Sequence, residues 1–146
     1  MEDNVPNNVR NFLNTLDKMH SKESIEYGLN FKPENTDIFI TSYPKCGTTF
    51  CQQICHSLRS NGDMNFEEIT QVTPWTICAL DCSQVLEEKQ QFQPNLYKSH
   101  ESYNIIPKNA KYIYLMRDPK AVLLSFSRFV TDYVGYSTDI DNKENK

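Results

Sequence analysis

Residues 37–50 read Asp37-Ile38-Phe39-Ile40-Thr41-Ser42-Tyr43-Pro44-Lys45-Cys46-Gly47-Thr48-Thr49-Phe50. The run Asp37 to Tyr43 is short, apolar and rich in β-formers, the pattern of a buried strand. Pro44 to Gly47 breaks it. Thr48 to Arg59 then carries Phe50, Ile54, Cys55 and Leu58 at helical spacing, which predicts a helix packed through that face, stopped by Asn61-Gly62. Strand, glycine-bearing turn and helix in this order make an anion cradle. Gly47 lets backbone N–H groups approach a phosphate. The helix start adds unpaired donors and a favourable dipole, Lys45 adds a charge, and Thr48 and Thr49 add hydroxyls. The glycine spacing and the lysine position are not those of a Walker A loop. The same residues also admit a plain reading, with Gly47 as turn former and Thr48 as helix cap.

Working outward, Val9, Phe12, Leu13, Leu16 and Met19 predict an amphipathic helix over residues ~6–20. A polar stretch with Gly28 and Pro33 reads as a connector. Met64 to Gln93 is acidic and mixed, helical in parts. Leu96 to Ser99 and Lys111 to Met116 read as strands. Asp118-Pro119 reads as an N-cap and first-turn proline of a helix through Ala121, Val122, Leu124, Ser125, Phe129 and Val130. Residues 137–146 form a polar tail. This order predicts an α/β domain with a largely parallel sheet. Ligands of such sheets sit at the carboxyl ends of the strands. Lys45, His100 and Arg117 each fall at or just past such an end.

Composition agrees with a folded domain: 146 residues, 38% hydrophobic and 23% charged. No apolar run approaches the ~20 residues that span a bilayer, and Met1 to Arg10 is polar, unlike a signal peptide. The odd cysteine count, five, suits a reducing compartment. A cytoplasmic protein without membrane attachment is expected. The net charge of −4 argues against nucleic acid as a partner. The charge is uneven: residues 94–128 carry a net +4 and residues 61–93 a net −5. Such a distribution fits a small anionic ligand held in one place, and equally ordinary surface variation.

The string Thr41 to Phe50 resembles the donor-binding loop of cytosolic-type sulfotransferases, which reads Tyr-Pro-Lys-Ser/Cys-Gly-Thr-Thr-Trp. The resemblance implies that Lys45, Cys46, Gly47, Thr48 and Thr49 hold the 5'-phosphosulfate end of 3'-phosphoadenosine 5'-phosphosulfate (PAPS). It also implies that Phe50, where the family has Trp, stacks on adenine with less area; otherwise Phe50 is a core aromatic. Lys98-Ser99-His100 with Ile106-Pro107 resembles the family segment whose histidine is the general base. Imidazole, with a pKa near ~6.5, accepts a hydroxyl proton at neutral pH. Tyr112 to Ser125 resembles the strand-turn-helix whose Arg and whose Ser eight residues later bind the donor's 3'-phosphate, here Arg117 and Ser125. The planar fork of arginine suits a phosphate. Ala121 departs from a frequent Asp, and the plain alternative pairs Arg117 with Asp118.

The resemblance, over roughly Glu34 to Val134, implies a P-loop NTPase-like three-layer sandwich with a mostly parallel sheet, truncated. Its divisions are an N-terminal helix and connector (1–33), an incomplete donor-binding domain (34–136) and a tail (137–146). It implies sulfuryl transfer from PAPS to a hydroxyl or amine of a small-molecule acceptor, with His100, Lys45 and Lys98 as catalytic groups and no metal. Pro74-Trp75 resembles a pair near the acceptor pocket, so Trp75 is pocket wall or core, and His100 also borders the acceptor. His20, placed in the leading helix, and His56 read as structural. Cys51/Cys55 and Cys78/Cys82 are i, i+4 pairs that no His or acid completes to a metal site, so buried thiols are expected. Family members are longer, so a missing carboxyl-terminal half or a homodimer is expected to cover an open sheet edge. Two further readings stand: an inactive module binding 3',5'-phosphoadenosine without turnover, and a P-loop kinase. The absence of Gly-Lys-Ser/Thr counts against the latter.

Overall fold

The protein is seen in a computed structural model that describes residues 14–15 and 18–134. These fall into two compact units, His20–Arg117 and a second that includes Asp118 onward. In the first unit the described elements run α1 (Lys22–Asn30), β1 (Ile38–Ser42), α2 (Thr48–Ser60), three single-turn 3-10 helices (Ile69–Gln71, Thr76–Cys78, Leu80–Cys82), β2 (Leu96–Ser99) and β3 (Lys111–Leu115). The second unit carries α3 (Pro119–Val134). The anticipated helix over ~6–20 lies largely outside the described residues, and so does the tail 137–146. Residues 18–20 are turn and bend, so His20 is not helical.

The sheet has the order β2-β1-β3 and is parallel throughout, as the sequence predicts. Ile38 pairs with Leu96 on one side and Lys111 on the other. Successive side chains alternate between the faces. Phe39 and Tyr97, partners in register, enter a core with Phe31, Ala79, Leu86 and Ile106. Ile40 and Leu96, also buried, belong to the opposite face. Helix α2 packs on β1 and β2. With parallel strands, all three carboxyl ends lie along one edge, which positions the site.

Two expectations need correction. Residues 22–30 are not a connector but α1, capped by Ser21 Oγ accepting from the Ser24 amide (3.1 Å). Gly28, buried inside this helix, allows it to approach the backbone of residues 76–77. The acidic stretch is helical in parts, as expected, through the three 3-10 turns. Finally, α2 is turned the other way round. Its buried residues are Thr48, Gln52 and His56, while Phe50, Ile54 and Leu58 are exposed. The inner face is polar because its partners are polar. Gln52 donates to the Thr73 carbonyl (3.2 Å). Arg59 donates to the carbonyls of Val72 (2.6 Å) and Pro94 (2.8 Å) and to Gln90 Oε1 (2.6 Å).

Both α2 ends are as anticipated: Gly47 starts it, and Asn61 and Gly62 close it with left-handed backbones and bonds back to the Ser57 carbonyl. In the second unit, Asp118 Oδ1 accepts from the amides of Lys120 (2.9 Å) and Ala121 (3.2 Å), the expected N-cap before Pro119.

Candidate functional site

The turn between β1 and α2 has two left-handed residues, Lys45 (φ 68°) and Gly47 (φ 99°). For glycine this costs little; for lysine it is an uncommon conformation that needs outside support. One support is visible: Arg117 Nη1 donates to the Lys45 carbonyl (3.0 Å). The end of β3 is thereby tied to the turn after β1. A second clasp joins strand to helix, Ser42 Oγ to Thr48 Oγ1 at 2.6 Å, both residues buried. The Thr48 hydroxyl therefore faces inward, whereas Thr49 and Phe50 are exposed at the mouth of the turn. Cys46 is half-buried. Phe50 is 72% exposed, which excludes the core reading. A Cβ on Gly47 would meet nothing within 4 Å, so the space over the turn is open, and the first-turn amides of α2 lack intrahelical acceptors.

His100 follows β2 directly. Its Nδ1 lies 2.8 Å from the Ser42 carbonyl. A carbonyl only accepts, so Nδ1 carries the hydrogen and the neutral ring keeps its lone pair on Nε2. Burial lowers the His100 pKa, the Ser42 hydrogen bond pulls it back up, and the Lys98 charge lowers it further. Burial thus favours the neutral ring. Glu101, a residue sequence reading missed, accepts from the His100 amide (3.1 Å) and from the Ser99 hydroxyl. Ser42 was missed as well, although it lies in the decisive string; a small hydroxyl residue before a phosphate-type turn was its only signal.

Trp75 is half-buried and stands among the site residues. Lys98 Nζ sits 4.0 Å over its ring, and the His100 ring meets it edge-on at 5.3 Å. Pro74 accepts from the Lys98 amide (2.7 Å), so residues 74–75 run beside β2 like a short extra strand. Burial lowers the Lys98 pKa, with the charge of Glu68 acting against it. A cavity of about 560 Å³ is lined by His100 and walled by Tyr43, Tyr103, Tyr112 and Tyr114; Trp75 is not part of it.

The unit His20–Arg117 thus brings together Lys45, Gly47, Thr48 and Arg117, and separately His100, Lys98 and Trp75. Ser125 lies on α3 in the second unit, half-buried. His56 is fully buried, as a structural role requires. Arg59 donates to its Nδ1, and Nε2 lies 3.7 Å from Asp63. The cysteine pairs are less buried than expected: Cys51, Cys55 and Cys78 are half-buried and Cys82 is exposed.

Comparison with known proteins fits this geometry. The sulfotransferase domain family matches residues 35–144. An amine sulfotransferase of Oryctolagus cuniculus is 34% identical over 131 residues, covering 82% of this chain and 40% of that protein. Among solved structures, a putative steroid sulphotransferase of Arabidopsis thaliana is similar with a TM-score of 0.56 at 19% identity, covering 77% of this chain and 48% of that one. Mouse sulfotransferase SULT7A1, complexed with PAP, is similar with a TM-score of 0.53 at 22% identity, covering 78% and 40%. The chain spans about two fifths of the length of the amine sulfotransferase. Its parallel α/β sheet is the sulfotransferase fold, and with the domain match extending over well more than half of its residues, the chain belongs to the sulfotransferase family.

Proposed function

We propose that the β1–α2 turn holds the 5'-phosphosulfate end of PAPS and that the site serves sulfuryl transfer to the hydroxyl or amine of a small molecule. The observation that carries this reading is the turn itself: two left-handed residues, open space over Gly47 and an arginine fixed on the Lys45 carbonyl. PAPS supplies the sulfuryl group and leaves as 3',5'-phosphoadenosine (PAP). Lys45 and the first-turn amides of α2 neutralise the phosphosulfate oxygens, and Lys45 stabilises the negative charge that grows on the bridging oxygen. Arg117 and Ser125 hold the 3'-phosphate, and exposed Phe50 stacks on the adenine.

His100 Nε2 takes the acceptor proton while the acceptor oxygen or nitrogen bonds to sulfur. Its Nδ1–H stays on the Ser42 carbonyl, so the ring cannot turn and the lone pair keeps its direction. Lys98, held over Trp75, carries part of the developing charge. The tyrosine-walled cavity beside His100 suits a largely apolar acceptor with one polar end. Half-buried thiols fit a reducing cytoplasmic setting. A second reading rests on coverage, since the chain spans two fifths of its relatives: a module that binds PAP without turnover.

Calorimetric titration with PAP tests the site. Saturable binding weakened by Lys45→Ala and by Arg117→Ala is expected; no binding by a folded sample would overturn it. Incubation with PAPS and a panel of phenols and amines, followed for PAP release, separates the two readings.

A further inference from the structure

The turn that follows Trp75 gathers metal-ligating groups distant in sequence. The 3-10 helices Thr76–Cys78 and Leu80–Cys82 set Cys78 Sγ and Cys82 Sγ 3.6 Å apart. This is far beyond a disulfide bond, and both thiols are free. Two thiolates on one tetrahedral Zn²⁺ at about 2.3 Å each stand about 3.8 Å apart, so the pair already has the edge length of a zinc site. A ring nitrogen of His20, Cys78 Sγ and a carboxylate oxygen of Asp81 lie within 4.8 Å of one another. An inward shift of about 1 Å would bring these three onto one ion; Cys82 Sγ, in contact with Cys78, lies outside this set and would join it by a side-chain rotation. Sequence reading expected no His or acid to complete the cysteine pair. The structure supplies one of each, His20 from a segment far from Cys78 in the chain.

The surroundings favour ligation. His20 Nδ1 is buried and has no hydrogen-bond partner among the described residues. Asp81 Oδ2 accepts from the Ser21 amide (2.9 Å), an outer contact that orients the carboxylate. The pair Cys51–Cys55 has a comparable sulfur separation, 3.9 Å. Among the described residues it gathers no such third ligand.

We propose that His20, Cys78 and Asp81, joined by Cys82 turned in as the fourth ligand, form a tetrahedral Zn²⁺ site that ties the segment before α1 to the turn carrying Trp75. Two sulfur donors with one imidazole and one carboxylate suit a borderline d¹⁰ ion better than Mg²⁺ or Ca²⁺. With Cys82 as the fourth ligand the site is structural, since every position is then filled by the protein. It also reaches toward the transfer site, since the Trp75 ring packs edge-on to His20 (4.6 Å) as well as to His100. The thiols must lose their protons to the metal. Affinity therefore rises with pH, and binding releases protons to the buffer.

The test titrates the reduced, metal-free chain with Co²⁺ and then Zn²⁺. One equivalent of Co²⁺ should give the intense visible bands of a tetrahedral ion and a thiolate charge-transfer band, all bleached by Zn²⁺. Cys78→Ser, Cys82→Ser and His20→Gln should each weaken Zn²⁺ at least as much as loss of an outer-shell partner does, about 10–100-fold. Cys51→Ser should bind as wild type. Fluorescence of Trp75, the only tryptophan, should change on saturation. An octahedral cobalt spectrum without a thiolate band would overturn the proposal even if a variant failed to fold. So would Zn²⁺ affinity unaffected by loss of both Cys78 and Cys82.

Discussion

Replacing Gly28 by alanine sets two effects of opposite sign against each other, and the structure decides between them. Gly28 lies inside α1. In an exposed helix interior, glycine to alanine stabilises by about 1 kcal/mol. Here, however, the new Cβ would stand 2.3 Å from the Thr76 carbonyl oxygen, 2.5 Å from its carbon and 2.7 Å from the Ile77 nitrogen. Ordinary contact begins near 3.5 Å, so α1 must retreat by about 1 Å. No rotamer relieves this, because both sides of the clash are backbone or Cβ. Overpacking of this kind costs about 1–3 kcal/mol, and rigid partners place it at the upper end. After the helix gain is subtracted, a net loss of about 1–2 kcal/mol is expected, or roughly 4–16 °C in Tm for a unit of this size. Thermal unfolding followed by circular dichroism reads it, and Trp75 fluorescence reports the displaced turn beside it. A Tm equal to or above wild type would refute the close approach and the packing of α1 described above.

Gly47→Ala meets no neighbour but must hold φ near 99°, at a strain of about 1–2 kcal/mol; PAP affinity should fall roughly tenfold, and unchanged affinity would mean that the turn conformation is not what binds. Arg59→Met leaves the carbonyls of Val72, Phe92 and Pro94 without their guanidinium donor, so urea unfolding should show a loss of about 2–4 kcal/mol; an unchanged midpoint would refute this. The His100 imidazole, titrated by NMR, should lose its proton below the usual 6.5; Glu101→Gln removes a charge that raises this pKa, so the midpoint should drop further, and a rise would contradict the assignment. Burial lowers the pKa of His20, His56 and His100 alike, so the unfolded chain binds more protons; stability should be complete above about pH 6.5 and fall as the pH drops below it, and a flat profile would speak against these burials.

The strand–turn–helix and the parallel pairing were legible because they rest on local signals: β-formers in Ile38 to Ser42, a glycine at the turn, Asp118-Pro119 at a helix start. The strand ends then placed Lys45, His100 and Arg117 at one edge with no further information. Helix α1 was hidden because Gly28 reads as a breaker, while its real role is to admit a neighbouring backbone that the sequence does not reveal. The cluster of His20, Cys78 and Asp81 beside Cys82 was hidden for a similar reason. Its sulfur pair is local, but the histidine arrives only through the packing of α1 on the 76–82 turns.

The reversal of α2 has a functional side. A hydrophobic pattern assumes that the inner face of a helix meets apolar atoms. This helix instead meets the Thr73 carbonyl through Gln52, the carbonyls of Val72, Phe92 and Pro94 through Arg59, and Ser42 through Thr48. Buried carbonyls need donors, so the polar side is drawn inward and the apolar side must face out. Phe50 stands at the start of that outward side, beside the open turn. Its exposure follows from the hydrogen bonds of that inner face, so the outward setting of the ring is fixed by Thr48, Gln52 and Arg59 on the opposite side of the helix. Loosening that inner face should therefore weaken nucleotide binding together with stability, whereas Phe50→Ala should weaken binding alone.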